Sequence, residues 1–218
     1  MMVIKISVVY RLAVIALLGS LAWPALADDR WYNVEVLVFA RSQDESFGQS
    51  IRQNPVQQPA NAVRLNDVDN DRVPSVRSAW LEDGAWQTLD EEARVLRHMF
   101  SRMRGTGDYH LLFHEAWRQP INQKSEMPAI LLDAPPNAAF GEMTAVLTFS
   151  RSRYLHVDAQ VWLTPSASDE PFRNFESDEE DGQANFGNMM IQEQRRIRRD
   201  NVNYFDHPAF GMLVRITE

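Results

Sequence analysis

The residues from Tyr154 to Thr164 alternate between apolar and polar side chains, and this pattern strongly constrains the fold. Successive side chains of a β-strand point to opposite faces of the sheet. One face would carry Leu155, Val157, Ala159, Val161 and Leu163, and the other would carry Tyr154, His156, Asp158, Gln160 and Trp162. We therefore expect a sheet with one buried apolar face and one polar, aromatic and reachable face.

Other segments also predict strands, because they combine β-branched and aromatic residues with apolar runs or period-two alternation. They are WYNVEVLVFA at 31–40, YHLLFHEAW at 109–117, EMTAVLTFS at 142–150, MMIQEQRRIRR at 189–199 and MLVRIT at 212–217. A tight polar turn near 150–153 predicts a hairpin between the third of these segments and the alternating run.

One long helix is predicted from Thr88 to Arg104. Thr88 and Glu91 have the spacing of a capping box, apolar residues follow at helical intervals, and Gly105 is typical of a helix end. A one-turn helix or corner is expected at DHPAF, residues 206–210, with Pro208 at its start.

The predicted element order is strand, helix, strand, hairpin, strand, strand. This order indicates an α+β fold, an antiparallel or mixed sheet of about five to six strands with one long helix packed on one face. A ferredoxin-like arrangement is the nearest common topology, although its second long helix is missing or reduced. A long N-terminal loop is expected at 41–78, which contains three prolines, and an acidic loop at 165–187.

The first 27 residues predict a secretory signal peptide. Lys5 and Arg11 precede a short apolar run, and the Ala-Leu-Ala sequence at 25–27 matches a small-residue cleavage site. Cleavage after Ala27 would leave a single α+β domain, residues 28–218, in the periplasm of a Gram-negative bacterium without a membrane span. An uncleaved membrane anchor is the alternative, but a glycine and a proline interrupt the apolar run.

The composition limits the classes of partner. Cysteine is absent, so disulfides, a lipoprotein anchor and thiol chemistry are excluded. Cleavage would remove two positive charges and change the net charge from −8 to −10, which argues against nucleic acid as a partner. Lys124 would be the only lysine left, beside 19 arginines. Guanidinium groups bind carboxylates with paired hydrogen bonds, so this surface would suit an acidic ligand, although codon bias would produce the same composition.

Patterns for metal binding and catalysis are weak. His110 and His114 lie close to Glu115, but residues four apart on a strand are about 13 Å apart. The residue types of a hydrolase triad occur at Ser150, Ser152, His156, His207, Asp158 and Asp206. No G-x-S-x-G motif accompanies them, and the candidate carboxylates for glycan cleavage cluster in the acidic loop. We therefore predict no enzymatic activity, no metal and no cofactor.

Ligand binding is better supported by the residues. The arginines at 195, 196, 198 and 199 form a basic island in an acidic protein, and strand pairing would bring them towards 151 and 153. The predicted ligand-binding residues are Arg151, Arg153, Tyr154, His156, Asp158, Trp162, Arg196 and Arg198. Rings would stack on sugars, and polar groups would bind hydroxyls or carboxylates. The alternative is that the aromatic residues belong to the core and the arginines pair with the acidic loop.

Several segments together resemble the CsiV family of periplasmic peptidoglycan-binding proteins. They are RWYNVEVLVFAR, YHLLFHEAWRQP, SRSRYLHVDAQVWL and RRIRRDNVNYFDHPAFGMLVRIT, with SRSRYLHVD and YFDHPAFG the most specific parts. The resemblance does not extend to the loops at 41–78 and 165–187. It implies a non-enzymatic factor that binds peptidoglycan and supports cell-wall synthesis and cell shape. It also implies action with an outer-membrane lipoprotein that activates a class A penicillin-binding protein, and it assigns no binding residues.

A protein-docking module of the periplasm is the second functional hypothesis. Its contact would be the acidic stretch at 169–181 or the loop at 41–78, without direct binding to the cell wall. An enzyme that acts on the cell wall is a third hypothesis, which release of muropeptides from isolated sacculi would reveal.

Overall fold

The computed structural model describes residues 29–41, 56–137, 140–164 and 188–218. The helices are α1 (Ser78–Glu82) and α2 (Leu96–Arg104). The strands are β1 (Trp31–Arg41), β2 (Tyr109–Pro120), β3 (Ile130–Asn137), β4 (Gly141–Arg151), β5 (Leu155–Thr164), β6 (Met189–Ile197), β7 (Val202–Asp206) and β8 (Phe210–Thr217). Within these ranges, no helix is long and apolar enough to cross a membrane.

The strands form two antiparallel sheets of four strands each. Sheet 1 has the order β2-β1-β8-β7, and sheet 2 has the order β3-β4-β5-β6. Their inner faces share one apolar core, in which Val36 and Val214 of sheet 1 belong to the same buried cluster as Leu147 of sheet 2. Across this interface the rings of Trp117 and Phe149 lie edge to face, 6.2 Å apart. The strands predicted from the sequence are therefore confirmed, but they belong to a two-layer sandwich.

The fold prediction is confirmed as α+β and is wrong in its details. Within the described ranges, eight strands in two sheets replace the single sheet of five to six strands, and the layout is not ferredoxin-like. Two strands, β3 and β7, were not predicted. The end of β3 carries Pro135 and Pro136, which a sheet tolerates because β3 is an edge strand. Strand β7 has only five residues, and polar residues flank it.

The predicted capping box at Thr88 is wrong. Thr88 forms a β-bridge with Trp117, and its backbone N–H donates to the side chain of Asn66 at 2.9 Å. Helix α2 begins only at Leu96, whose backbone N–H donates to the buried carboxylate of Glu35 on β1 at 2.7 Å. A carboxylate at this position satisfies a free helix N–H and favours the positive end of the helix. The predicted helix is thus shortened to nine residues.

Helix α2 covers the outer face of sheet 1. Leu96 and Phe100 pack against Leu37, Phe39 and Leu213, which form a second apolar cluster on that face. A helix therefore packs on one face of a sheet, but it has nine residues and is not the long helix predicted from Thr88 to Arg104.

The segment DHPAF is a hairpin turn, and the predicted one-turn helix is wrong. Asp206 ends β7 and Phe210 begins β8, and the backbone N–H of His207 donates to the carbonyl of Phe210 at 3.0 Å. Residues 56–78 of the expected loop at 41–78 are described, and Val63 adds to the edge of β3 through two backbone hydrogen bonds with Ala129 and Leu131. The predicted signal peptide, residues 42–55 and the expected acidic loop at 165–187 lie outside the described residues.

Candidate functional site

The outer face of sheet 2 carries the polar side chains of the alternating run. The register places His156 between Ser150 of β4 and Arg196 of β6. One row further along the strands, Asp158 lies between Thr148 and Gln194. The inward set from Leu155 to Leu163 is buried, as predicted. Half of this sheet face is thus polar and accessible, as the alternation indicates.

Trp162 is not part of the accessible surface, and its prediction as a reachable ring is wrong. Its side chain points to the outer face but is only 1 % exposed. It forms an apolar cluster with Leu131 and Val146, and Val56 and Ala62 pack against that cluster. The chain segment that contains Val56 and Ala62 therefore covers the half of the outer face on which Trp162 lies. Its indole N–H has no acceptor among the described residues.

Four predicted arginines lie at one end of sheet 2. We call this group the cationic corner; it consists of Arg151, Arg153, Arg196 and Arg198. Arg151 ends β4 and Arg153 lies in the turn to β5. Arg196 lies near the end of β6, and Arg198 directly follows that strand. Within the described ranges, none of the four has a carboxylate within 4.0 Å. Most other arginines form such pairs, so this end carries uncompensated positive charge within the described structure.

Tyr154 organises two members of the cationic corner. The guanidinium carbon of Arg196 lies 3.4 Å from the centre of its ring, and that of Arg153 lies 5.4 Å from it. The attraction of each cation to the ring holds both guanidinium groups near one point of the surface. Tyr154 itself remains 38 % exposed.

A cleft of about 690 Å³ opens beside the cationic corner. It lies between the outer face of sheet 2 and the loop at 122–126, and we call it the loop cleft. Arg151 is fixed in its wall, because its backbone N–H donates to the carbonyl of Asn122 at 2.6 Å and its Nε donates to the carbonyl of Ile121 at 3.2 Å. His156 and Gln194 also line the loop cleft.

Lys124 is a site residue that the motif analysis missed. Its Nζ donates to the carboxylate of Asp158 at 2.8 Å, so the loop is tied to the outer face of sheet 2 by an ion pair. This contact partly neutralises Asp158. Lys124 is the only lysine after residue 27, and that rarity was the only available signal.

Asp29 anchors the loop at 122–126, which forms one side of the loop cleft. Its carboxylate accepts hydrogen bonds from Trp80 Nε1 and from Asn122 Nδ2, each at 2.6 Å, and pairs with Arg77 at 3.2 Å. The start of the described chain, helix α1 and the loop at 122–126 are therefore connected through one side chain. Arg77 also reaches Glu126 at 3.5 Å, which adds a second link to the loop.

The predicted basic island at 195–199 divides into two parts. Arg195 points to the core side, lies 3.8 Å from the ring centre of Phe205 and donates to the carbonyl of Tyr204 in β7. Arg199 pairs with Glu218 at 2.6 Å. These two arginines connect parts of the fold, whereas Arg196 and Arg198 are exposed at the cationic corner.

The second specific segment, YFDHPAFG, forms the β7–β8 hairpin of sheet 1. Arg41 pairs with Asp206 at 2.6 Å, and the hydroxyl of Tyr204 donates to the same carboxylate. Burial and the hydrogen bond with Asp206 raise the pKa of Tyr204 to about 12. The hydrogen bond from Tyr204 and then the charge of Arg41 hold the pKa of Asp206 below its ordinary value. These contacts fix the end of β1 to the hairpin.

The histidines are engaged in separate places. His114 Nε2 lies 2.9 Å from the buried carboxylate of Glu35, and the ring of His110 lies against that of Phe140, with centroids 4.5 Å apart and planes tilted by 33°. His207 Nδ1 accepts the backbone N–H of Ala209 at 3.1 Å, and burial lowers the pKa of His207. Among the described residues, no group of three or more His, Asp or Glu side chains is arranged to hold a metal ion.

The whole-chain comparison agrees with the two specific segments. The family model described as "Peptidoglycan-binding protein, CsiV" matches residues 10–218. No curated protein and no solved structure gives a significant match. Because the family model covers nearly the full length, the chain belongs to the CsiV family of peptidoglycan-binding proteins.

Proposed function

We propose that this protein is an exported, non-enzymatic peptidoglycan-binding factor of the Gram-negative periplasm. In this proposal the signal peptide is removed after Ala27, and residues 28–218 form one domain that supports cell-wall synthesis. Membership in the CsiV family supports peptidoglycan as the ligand. The observation that carries the proposal is the cationic corner, in which four arginines without described carboxylate partners lie beside an open cleft.

Peptidoglycan has the chemistry that this surface would bind. Its stem peptides carry several carboxylates, and an arginine binds a carboxylate through two parallel charge-assisted hydrogen bonds. Tyr154 is the remaining accessible ring among the predicted site residues, because Trp162 is buried. His156 and Asp158 would add polar contacts beside the arginines.

The proposed partner is an outer-membrane lipoprotein that activates a class A penicillin-binding protein. The family resemblance supports this partner, and no particular surface is assigned to it. The protein would then act at the cell wall as an accessory to synthesis rather than as a hydrolase. Asp158, a candidate triad residue, accepts its hydrogen bond from Lys124, and His207 accepts one from a backbone amide.

Sedimentation with purified sacculi tests peptidoglycan binding. The chain from residue 28 onward should appear in the pellet at low salt. Binding should weaken as salt shortens the screening length from about 10 Å at 0.1 M to about 3 Å at 1 M. The double variant Arg153→Gln/Arg196→Gln should bind several-fold more weakly, because exposed guanidinium groups are lost.

Arg102→Gln is the matched control, because Arg102 is an exposed arginine on helix α2, over the other sheet. This variant should sediment like the unmodified protein. A protein that stays in the supernatant at low salt would refute peptidoglycan binding. Capture of a periplasmic protein from a wall-free lysate, together with that result, would favour the docking module instead.

A further inference from the structure

We infer that the loop cleft binds a secondary amide group of the cell-wall polymer through Ser150, His156 and Gln194. This inference rests on the proposed function and adds a subsite for an uncharged group beside the cationic corner. The cleft volume of about 690 Å³ lies within the range of about 300–1,000 Å³ that is typical of small-ligand sites. Acetamido groups of amino sugars and peptide bonds of stem peptides both supply a secondary amide.

Three polar side chains form the floor of the loop cleft on the outer face of sheet 2. Ser150 of β4 lies directly opposite His156 of β5. The direct partner of His156 on β6 is Arg196, so Gln194, two residues earlier, lies on the diagonal. Directly opposite side chains of antiparallel strands start about 5 Å apart, and diagonal ones start about 7–8 Å apart. The three side chains are therefore close enough to contact one small group.

The floor side chains have no hydrogen-bond partner within the described ranges of the chain. Ser150 is only 8 % exposed, so its hydroxyl belongs to a largely buried residue that lines the cleft. Buried polar groups of folded proteins are almost always hydrogen-bonded to protein, ordered water or a ligand. These three side chains are therefore available to bond to a molecule that enters the cleft.

The chemical class of the bound group follows from the lining. The charged side chains of the loop already have partners, because Lys124 pairs with Asp158 at 2.8 Å and Glu126 pairs with Arg77 at 3.5 Å. The floor carries a hydroxyl, an imidazole and a carboxamide, each of which can both donate and accept hydrogen bonds. A secondary amide has one N–H donor and one carbonyl acceptor, so it complements this floor. A carboxylate only accepts and would leave the floor acceptors without a donor.

The loop cleft and the cationic corner are contiguous. His156 of the floor is the cross-strand partner of Arg196, whose guanidinium group lies on the ring of Tyr154. A polymer segment that joins an amide to a carboxylate would therefore contact the floor with the first group and the exposed arginines with the second.

Lys124 provides a signal that reports on the cleft. It lines the cleft and is the only lysine after residue 27. Reductive methylation with carbon-13-labelled formaldehyde keeps its charge and gives one lysine methyl signal in an NMR spectrum of the chain from residue 28 onward. A molecule that enters the cleft should shift this signal, and the shift should saturate as the binding site fills.

Three uncharged probes test the inference by titration of the Lys124 signal. Chitotetraose carries acetamido groups, cellotetraose carries hydroxyls in their place, and the stem tetrapeptide with its carboxylates converted to carboxamides carries peptide bonds. We expect a saturable shift with chitotetraose or with the amidated peptide, and the probe that binds identifies the source of the amide. Cellotetraose should give no saturable shift.

Variants of two glutamines on the same face of β6 assign the binding to the floor. Gln194→Ala should lower the affinity for the bound amide probe about threefold to tenfold, because one hydrogen bond is lost. Gln192→Ala is the matched control, because Gln192 is exposed on that face and is not part of the cleft lining. Equal losses of affinity in the two variants would contradict the assignment.

Two results with the unmodified sequence would overturn the inference without recourse to any variant. One is a Lys124 signal that neither amide probe shifts, and the other is a cellotetraose titration that saturates like that of an amide probe. Both leave the proposed function intact if the protein still sediments with whole sacculi. A protein that stays in the supernatant would instead refute the proposed function itself.

Discussion

Replacement of Asp29 by alanine should destabilise the protein and loosen the loop cleft together. The Asp29 carboxylate is the shared acceptor for Trp80 Nε1 and Asn122 Nδ2, and it also pairs with Arg77. Alanine removes this acceptor and leaves Trp80 Nε1 and Asn122 Nδ2 without it, whereas Arg77 keeps its contact with Glu126. Asn122 begins the loop at 122–126, and its carbonyl accepts the backbone N–H of Arg151. The substitution should therefore alter the loop cleft, although Asp29 is not itself a proposed ligand-binding residue.

The expected loss of unfolding free energy in Asp29→Ala follows from the burial of each hydrogen-bond donor. Trp80 is 1 % exposed and Asn122 is 8 % exposed, so each would be left as a buried donor without an acceptor. Such a group costs about 1–3 kcal/mol, which gives about 2–6 kcal/mol for the two. The side chain of Arg77 is half exposed, and an exposed pair adds at most about 1 kcal/mol. Asp29→Asn keeps one acceptor oxygen and should cost about 1–3 kcal/mol.

Urea unfolding of the chain from residue 28 onward, followed by tryptophan fluorescence, measures these differences. Asp108→Ala is the control, because Asp108 is exposed and its side chain forms no hydrogen bond or ion pair with the described residues. Its free energy of unfolding should change by less than about 0.5 kcal/mol. Sacculus sedimentation at low urea should also show weaker binding for Asp29→Ala, although every arginine of the cationic corner is unchanged.

The rank order of the three variants in unfolding free energy tests whether Trp80 and Asn122 depend on the Asp29 carboxylate. The expected loss of stability is largest for Asp29→Ala, intermediate for Asp29→Asn and near zero for Asp108→Ala. An Asp29→Ala protein that loses less than about 1 kcal/mol would show that Trp80 and Asn122 do not depend on this carboxylate. Lost stability with fully retained sacculus binding would show that the loop at 122–126 keeps its position without Asp29.

Three further predictions concern packing and pH. Gly211→Ala should cost about 1–3 kcal/mol in urea unfolding, because a Cβ there would lie 2.7 Å from Cζ of Phe39 in a packed cluster. Trp162→Ala should lower the free energy of unfolding by about 3–5 kcal/mol, yet the folded variant should sediment with sacculi like the unmodified protein. Weaker sedimentation would show that Trp162 contributes to ligand binding. The free energy of unfolding should fall as the pH drops below 6.5, the ordinary pKa of histidine, because His207 has a lowered pKa and the unfolded chain takes up the proton first. A second loss should begin below pH 3.8 as Asp206, whose pKa is also lowered, is protonated. A His207→Gln variant should not show the loss of unfolding free energy below pH 6.5. If the unfolding free energy changes with pH by the same slope in both proteins, the assignment of this loss to His207 is contradicted.

Local patterns predicted the strands well because their signal is contained in the strand itself. The alternation from Leu155 to Leu163 identified the buried face correctly. The position of Trp162 was not predictable in the same way, since its burial depends on Val56 and Ala62, about a hundred residues earlier in the chain. A period-two pattern states which face a residue occupies, but it does not state what covers that face.

The capping box failed for a related reason. Thr88 and Glu91 have the correct spacing, but Thr88 is engaged by Asn66 and by the edge of β2, and the cap of helix α2 comes from Glu35 on β1. Tertiary contacts thus replaced a local signal. The loop cleft depends in the same way on distant pairs such as Lys124 with Asp158, which are 34 positions apart in the sequence.

The segments YFDHPAFG and SRSRYLHVD, which the sequence analysis singled out for the family resemblance, are both contacted by consecutive arginines of β6. Because neighbouring side chains of a strand point to opposite faces, Arg195 reaches Phe205 and the carbonyl of Tyr204 in the YFDHPAFG segment, while Arg196 lies on Tyr154 in the SRSRYLHVD segment. Arg195 joins the two sheets at their edge, and internal contacts occupy its guanidinium group. The second is oriented by a ring and keeps an exposed guanidinium group. One strand therefore fixes the sandwich with one side chain and presents the proposed carboxylate anchor with the next, which explains why a basic island in the sequence has both a structural and a surface role.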